Sequence, residues 1–142
     1  MAGIGIDAKR APVTGNGVTD DVLIARARSA AIAFSPSDAC SVGAVGAAIE
    51  TTDGAVFTGL CIDLPSGMGF CAEHAAAAEM LKSRRSRIAC VVAVTAQGAI
   101  LAPCGRCREF LLKMDPANRD AEVVVSVGKR VRLGGLLPLS PE

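Results

Sequence analysis

The pattern of apolar and polar residues in the first half of the chain predicts one helix and a pair of strands. Apolar residues recur at helical spacing after Thr19, a residue type that caps helix N-termini, and the pattern stops before Pro36. Residues 42–50 and 55–61 are apolar runs of strand length on either side of Asp53-Gly54, a dipeptide that favours tight turns. We therefore expect a helix followed by a β-hairpin.

The second half of the chain alternates helical and strand patterns. Residues 71–85 contain four consecutive alanines and end on cations, as helices do, and residues 88–95 form the continuous apolar run of a strand covered on both faces. A further helix and a further strand pair are predicted over residues 103–114, 122–127 and 129–133. This order of elements predicts an α/β layered domain with one mixed five-stranded sheet.

Length and composition fit a single globular domain preceded by a short arm. The chain has 142 residues, of which 51% are hydrophobic, and this is too short for two full domains and too apolar for a disordered chain. Residues 1–18 mix Gly, Pro, Asn and Lys without periodicity, so we expect a flexible N-terminal arm. The domain is expected to occupy residues 19–142.

Aromatic content and charge disfavour a nucleic-acid partner. The chain has no Trp, no Tyr and only four Phe, and its formal net charge is +1. Single-stranded nucleic acid is usually bound by stacking bases on aromatic side chains along a surface rich in Lys and Arg. A small-molecule substrate is the better expectation.

The cysteines and the absence of targeting segments predict a cytoplasmic protein without membrane contact. No apolar run of signal-peptide length follows Lys9 and Arg10, and no stretch approaches the length of a membrane span. In such a compartment, the six cysteines are more often metal ligands or core residues than disulfides. Cys90, inside an apolar strand, is expected to be a core residue.

Three of the cysteines have the spacing of a metal site. Cys104 and Cys107 form a C-x-x-C at a predicted helix start, where residues three apart share a face and the helix dipole favours thiolates. Cys71 opens another predicted helix, and Glu73 follows it by two residues. Three thiolates around a tetrahedral zinc leave one position for water, as in catalytic sites. A closed structural zinc site and a redox C-x-x-C are the alternatives.

The sequence resembles the cytidine deaminase family, including the blasticidin S deaminases. Cys71-Ala-Glu73 followed by Pro103-Cys-Gly-Arg-Cys107 matches the zinc-dependent base deaminase motif in its all-cysteine form. The likeness runs from about residue 22 to Pro138 and includes the segments VGAA, FTG and LLP at residues 45–48, 57–59 and 136–138. It implies a three-layer α/β/α sandwich and a homotetramer.

The resemblance also implies a role for each residue of the motif. Cys71, Cys104 and Cys107 would hold zinc, and Glu73 would move protons between the attacking water, the cytosine ring and the leaving amine. Pro103 keeps Ala102 extended, so the Ala102 carbonyl would be free to accept a hydrogen bond from that amine. The reaction would convert cytidine or deoxycytidine to its uracil counterpart and ammonia.

One cation is expected to offset the charge of the thiolates. Three thiolates and Zn²⁺ sum to −1, which weakens zinc as an acid unless a nearby donor withdraws charge from sulfur. Relatives of this type commonly have an arginine directly after the glutamate, where this chain has His74. Arg106, between the two cysteines, is the candidate replacement.

The residues expected to contact the sugar differ from the family pattern. Cytidine deaminases typically have Asn-x-Glu at the end of the second strand, and this chain has Cys61-Ile62-Asp63 there. Cys61 is a weaker hydrogen-bonding group than an amide, and Asp63 has a shorter reach than glutamate. Phe70 is the candidate ring to pack on the base, and Ala72, between the motif residues, is a further candidate substrate contact.

Two alternative functions remain open at this level. The PCGRCR segment and the missing Asn-x-Glu also suit a deaminase of a cytosine nucleoside antibiotic of the blasticidin S type. A non-catalytic zinc-binding domain is the alternative from another class.

Overall fold

A computed structural model of the chain describes residues 18–139. The predicted arm, residues 1–18, lies outside the described residues apart from Val18, so the arm stays a prediction. The structure has three helices and seven strands within this range: α1 Asp20–Ala30, β1 Phe34–Ser37, β2 Cys40–Thr51, β3 Val56–Asp63, α2 Ala72–Lys82, β4 Ile88–Thr95, β5 Ile100–Leu101, α3 Gly105–Met114, β6 Glu122–Ser126 and β7 Lys129–Arg132. Single turns of 3₁₀ helix lie at Pro65–Gly67, Pro116–Asp120 and Leu133–Leu136.

The sheet is mixed, as predicted, but it has seven strands among the described residues rather than five. The five predicted strands lie in the order β3-β2-β4-β6-β7, and only the β4–β6 pair is parallel. The two additional strands are β1, which pairs with the start of β2, and β5, which pairs with β4. Sequence patterns missed them because β1 is exposed along its whole length and contains Pro36, and β5 has only two residues.

Helices cover both faces of the sheet, which confirms the three-layer α/β/α architecture. Successive strand residues point to opposite faces. On one face Ala48 and Val92 pack with α1, and on the other Ile49 and Val91 pack with α2 and α3. The helix residues of the two layers are Leu23 and Ala27 from α1, and Ala76, Met80 and Leu111 from α2 and α3. None of the helices in residues 18–139 has the length and apolar content needed to cross a bilayer.

Small residues allow α2 to lie very close to β3. A Cβ atom placed on Gly59 would lie 2.3 Å from the Ala76 backbone nitrogen and 2.6 Å from the Ala75 Cβ. Real Cβ atoms do not approach other heavy atoms this closely, so no larger residue fits at Gly59 without moving the helix. The alanine run of α2 and Gly59 of β3 therefore determine together where the helix lies on the sheet.

Gly59→Ala is expected to destabilise the protein by about 1–3 kcal/mol, the usual cost of overpacking a core, and to weaken zinc retention because α2 is displaced. Denaturant unfolding and zinc content measure the two effects. The control is Thr58→Ala, since Thr58 pairs with Ala48 and shares its side of the sheet, opposite to α2. Equal stability and zinc content in Gly59→Ala and the wild type would show that the contact does not position α2.

Candidate active site

Three cysteines converge from the starts of α2 and α3. Cys71 and Cys104 are the N-cap residues of these helices, with extended backbones at φ −72°, ψ 158° and φ −67°, ψ 167°. Neither side chain caps its own helix, so both sulfurs are free to face the space between the helices. Cys107 lies in the first turn of α3. The two predicted helix starts therefore present their thiols to one point.

The distances between the sulfurs fit one tetrahedral zinc. The Sγ atoms of Cys71 and Cys104 are 3.6 Å apart, and those of Cys104 and Cys107 are 3.5 Å apart. Thiolates bound to one zinc at about 2.3 Å would be about 3.8 Å from each other. The sulfurs therefore need only small shifts to accommodate the metal.

Ionisation of these thiols depends on their burial. Burial raises the pKa of Cys71 and of Cys107, the more deeply buried of the two. Burial also acts to raise the pKa of Cys104, but hydrogen bonding from the Cys107 and Arg106 backbone and from neighbouring thiols outweighs it and the pKa is lowered. Three thiolates this close together need a cation among them, which a metal supplies.

Glu73 is a buried carboxyl in the first turn of α2. It is only 4% exposed, and it lines the same cavity as Cys71 and Cys104. Burial raises the pKa of Glu73, and hydrogen bonding by its backbone and by Cys107 opposes that shift in part. A carboxyl whose pKa lies closer to neutral can both accept and return a proton.

A cavity of about 450 Å³ opens beside these residues. That volume lies within the range of small-molecule sites in proteins. Every residue that the sequence predicts for the site lines it, apart from Cys107: Cys61, Asp63, Phe70, Cys71, Ala72, Glu73, Ala102, Cys104 and Arg106. The structure thus brings together residues that are distant in the sequence. Lining residues that the prediction did not include are Ala44, Val45, Ile62, Leu64, Gly67, Gly69, Ala93 and Leu101.

A family model described as the cytidine and deoxycytidylate deaminase zinc-binding region matches residues 19–126. This chain belongs to that deaminase family. It is a zinc-dependent aminohydrolase, as the sequence predicted. The family match agrees with a group of possible metal ligands in the structure, Cys71, His74 and Cys107.

Several members of the deaminase family are similar to this chain over most of its length. Cytidine deaminase of Mycobacterium tuberculosis is 37% identical over 97 residues, which are 67% of this chain and 70% of that protein. The crystal structure of a cytidine deaminase from that organism superimposes with a TM-score of 0.73 at 32% identity, covering 88% of this chain and 99% of the other. Cytidine deaminase from Burkholderia pseudomallei gives a TM-score of 0.70 at 30% identity, covering 87% and 100%.

A short backbone bridge positions the loop that leads into α2. Ile62 and Phe70 exchange two backbone hydrogen bonds, of 3.0 and 2.9 Å, and so tie the residue before Cys71 to the end of β3. Gly69 lets the chains approach, because a Cβ atom there would lie 1.9 Å from the Ile62 carbonyl oxygen. The bridge holds the Phe70 ring, 37% exposed, at the wall of the deaminase cavity.

Cys61 and Asp63 lie side by side at the end of β3 and line the cavity. The Cys61 Sγ accepts a hydrogen bond from the Val45 backbone N–H at 3.3 Å and lies 3.9 Å from the Asp63 Oδ2. Sulfur is a weak donor and a weak acceptor. The Asp63 carboxylate is therefore the strong polar group at this end of the cavity, and it accepts hydrogen bonds rather than donating them.

His74 is the site residue that sequence reasoning missed. On a helix, the side chain of His74 points about 100° away from that of its neighbour Glu73, which lines the cavity. The sequence alone therefore assigned His74 no part in the metal site. The structure turns its Nδ1 to within 3.5 Å of the Cys107 Sγ. The ligand atoms of Cys71, His74 and Cys107 all lie within 4.8 Å of one another. The sequence did offer one indication of this position: His74 follows Cys71 by three residues, and residues three apart share a helix face.

Serine substitutions at Cys71, Cys104 and Cys107 are each expected to lower zinc content well below one ion per chain, because a hydroxyl is a much poorer zinc ligand than a thiolate. Atomic absorption on the purified proteins measures this. Cys40→Ser is the control, since Cys40 is a half-buried thiol at the start of β2. Retention of full zinc by any of the three variants would remove that cysteine from the ligand set.

Proposed function

We propose that the protein hydrolyses the amino group of the cytosine ring in a free nucleoside, converting cytidine or deoxycytidine to the uracil nucleoside and ammonia. The observation that supports this most directly is the buried Glu73 in the wall of a 450 Å³ cavity that also contains two of the zinc-ligand candidates. The relatives named as cytidine deaminases agree with this substrate class. Membership in a family of hydrolases also favours catalysis over a purely structural zinc domain.

In this proposal Glu73 performs the proton transfers. Cys71, Cys104 and Cys107 would hold zinc, which would lower the pKa of a water so that hydroxide is available as the nucleophile near neutral pH. Glu73 takes one proton from the attacking water and gives it to ring N3. It then passes the second proton of that water to the amine, which leaves as ammonia while the ring carbon becomes a carbonyl.

The remaining lining residues orient the base and the sugar. The Phe70 ring packs on the pyrimidine, and the Ala102 carbonyl accepts a hydrogen bond from the amino group before it leaves. Ala72, only 1% exposed, provides a small contact surface between the motif residues. Cys61 and Asp63 face the sugar, with Asp63 accepting a hydrogen bond from a hydroxyl.

A cytosine nucleoside antibiotic of the blasticidin S type is the second candidate substrate. Asp63 and Arg106 both line the cavity, so it presents one anionic and one cationic side chain to the substrate. A nucleoside analogue with charged substituents would use both. We also propose that Arg106 offsets the negative charge of the thiolates, since it lies between two of them in the sequence.

We further propose that the enzyme acts as a homotetramer in the cytoplasm. The tetramer would cover apolar side chains near the cavity, where Leu101 is 39% exposed and Met68, in the loop before α2, is 66% exposed. The cytoplasm keeps thiols reduced, which zinc ligation by cysteine needs. Sedimentation of the purified enzyme tests the oligomeric state.

The wild-type enzyme is expected to release ammonia and reduce cytosine absorbance with at least one of cytidine, deoxycytidine and blasticidin S. Glu73→Gln should lower kcat by at least about 10²-fold, because general acid–base catalysis of this kind contributes 10²- to 10⁴-fold. The zinc content of this variant should be unchanged, since the side chain at position 73 is not a ligand in the proposed site. Turnover of none of the three compounds by the zinc-loaded wild type, or full activity of Glu73→Gln, contradicts the proposed function.

Cys61→Asn is expected to raise kcat/KM for cytidine by roughly 10-fold, because an amide adds a strong donor at the sugar end of the cavity. Cys61→Ala is the matched control, since it removes the sulfur without adding a polar group. Zinc content and unfolding midpoint of both variants report whether the fold is intact. Equal kcat/KM values for the Asn and Ala variants would show that position 61 does not face the sugar.

A further inference from the structure

We propose that His74 is a positioning residue that donates its Nδ1–H to the Cys107 thiolate, fixing that sulfur and withdrawing charge from it. This inference rests on the proposed zinc site, because it assigns Cys107 as a ligand. The distance from His74 Nδ1 to Cys107 Sγ is 3.5 Å, which is within hydrogen-bonding range for sulfur.

The His74 ring is held in this orientation by Phe110. The two rings are stacked with their centroids 4.0 Å apart and their planes at 21°. Phe110 follows Cys107 by three residues in α3, so the sulfur and the aromatic ring lie on the same face of that helix. One face of α3 thus supplies both the Cys107 sulfur, which accepts the hydrogen bond, and the Phe110 ring, which orients the His74 imidazole of α2.

The direction of the hydrogen bond follows from the chemistry of the partners. A thiolate bound to a metal has no proton and is only an acceptor, so the proton of this pair belongs to the imidazole. Three thiolates leave the zinc site with a net charge of −1, and donors to the ligand sulfurs reduce that excess. His74 touches the sulfur of Cys107 directly, so it is placed to be such a donor.

Cys104 rather than His74 is the third zinc ligand in this proposal. The ligand atom of His74 lies near those of Cys71 and Cys107, so a set without Cys104 is the competing arrangement. The Cys104 sulfur, however, lies 3.6 Å and 3.5 Å from the other two sulfurs, and both distances suit a shared tetrahedral zinc. It also lines the cavity, where the substrate must meet the metal.

The experiment measures zinc affinity by chelator competition, starting from the zinc-loaded enzyme and its variants. His74→Phe keeps an aromatic ring against Phe110 but removes the donor, and it should weaken zinc binding about 10- to 100-fold, as loss of partners to metal ligands does. His74→Asn places an amide N–H near the Nδ1 position and should stay within about 3-fold of the wild type. Arg106→Ala should also retain its zinc affinity and lose turnover instead.

Each other outcome has a distinct meaning. Wild-type zinc affinity in His74→Phe, or equal losses in the Phe and Asn variants, overturns the hydrogen-bond role. If Cys104→Ser kept its full zinc content and His74→Phe lost zinc completely, His74 would be a zinc ligand, and the hydrogen-bond role would likewise be overturned. Full zinc in Cys71→Ser and Cys107→Ser would instead refute the proposed zinc site itself. Substitution with Co²⁺ adds a readout that is independent of activity. In His74→Phe the sulfur-to-cobalt charge-transfer band should keep the intensity expected for three thiolate ligands. Its energy should shift, because one of those thiolates has lost a hydrogen bond.

Discussion

The close packing of α2 on the sheet is the constraint on which the deaminase site depends. Gly59 leaves no room for a side chain between β3 and α2, and Ala72, Ala76 and Ala77 of the helix are almost completely buried. With such small residues the distance between backbones, rather than the fit of large side chains, defines the position of the helix. A helix held in this way presents its first turn, including Glu73, at a fixed height above the strands.

A second helix start must meet the first for metal binding to be possible. Helix N-termini favour thiolates through their free N–H groups, yet burial raises the pKa of Cys71 and Cys107. These opposing effects leave an arrangement that is unfavourable for three thiolates by themselves and favourable once a divalent cation is present. The fold therefore prepares the geometry of the site, while the charge balance requires the metal and donors such as His74.

Local spacing in the sequence was enough to predict those parts of the structure that depend on it. The C-x-x-C of Cys104 and Cys107 defines a helix face by itself, and the apolar run of β4 identifies a central strand. For His74, local spacing indicated only that it shares a helix face with Cys71. Its contact with Cys107, 33 residues further along the sequence, depends on how α2 and α3 lie side by side. The two short strands were missed for a similar reason, since pairing with β2 and β4 defines them and their own residues do not.

The two halves of the cavity are built by different kinds of structure. The half with Cys71 and Glu73 stands on the start of α2, whose position is set by its contact with Gly59, so a change there disturbs Cys71, Glu73 and the core together. The other half consists of the end of β3 and the loop tied to it by the Ile62–Phe70 bridge. Backbone hydrogen bonds hold that bridge, and Gly69 is the position there at which a side chain would prevent it. A substitution at Cys61 or Asp63 is therefore expected to change how the proposed substrate is held without displacing Cys71 or Glu73.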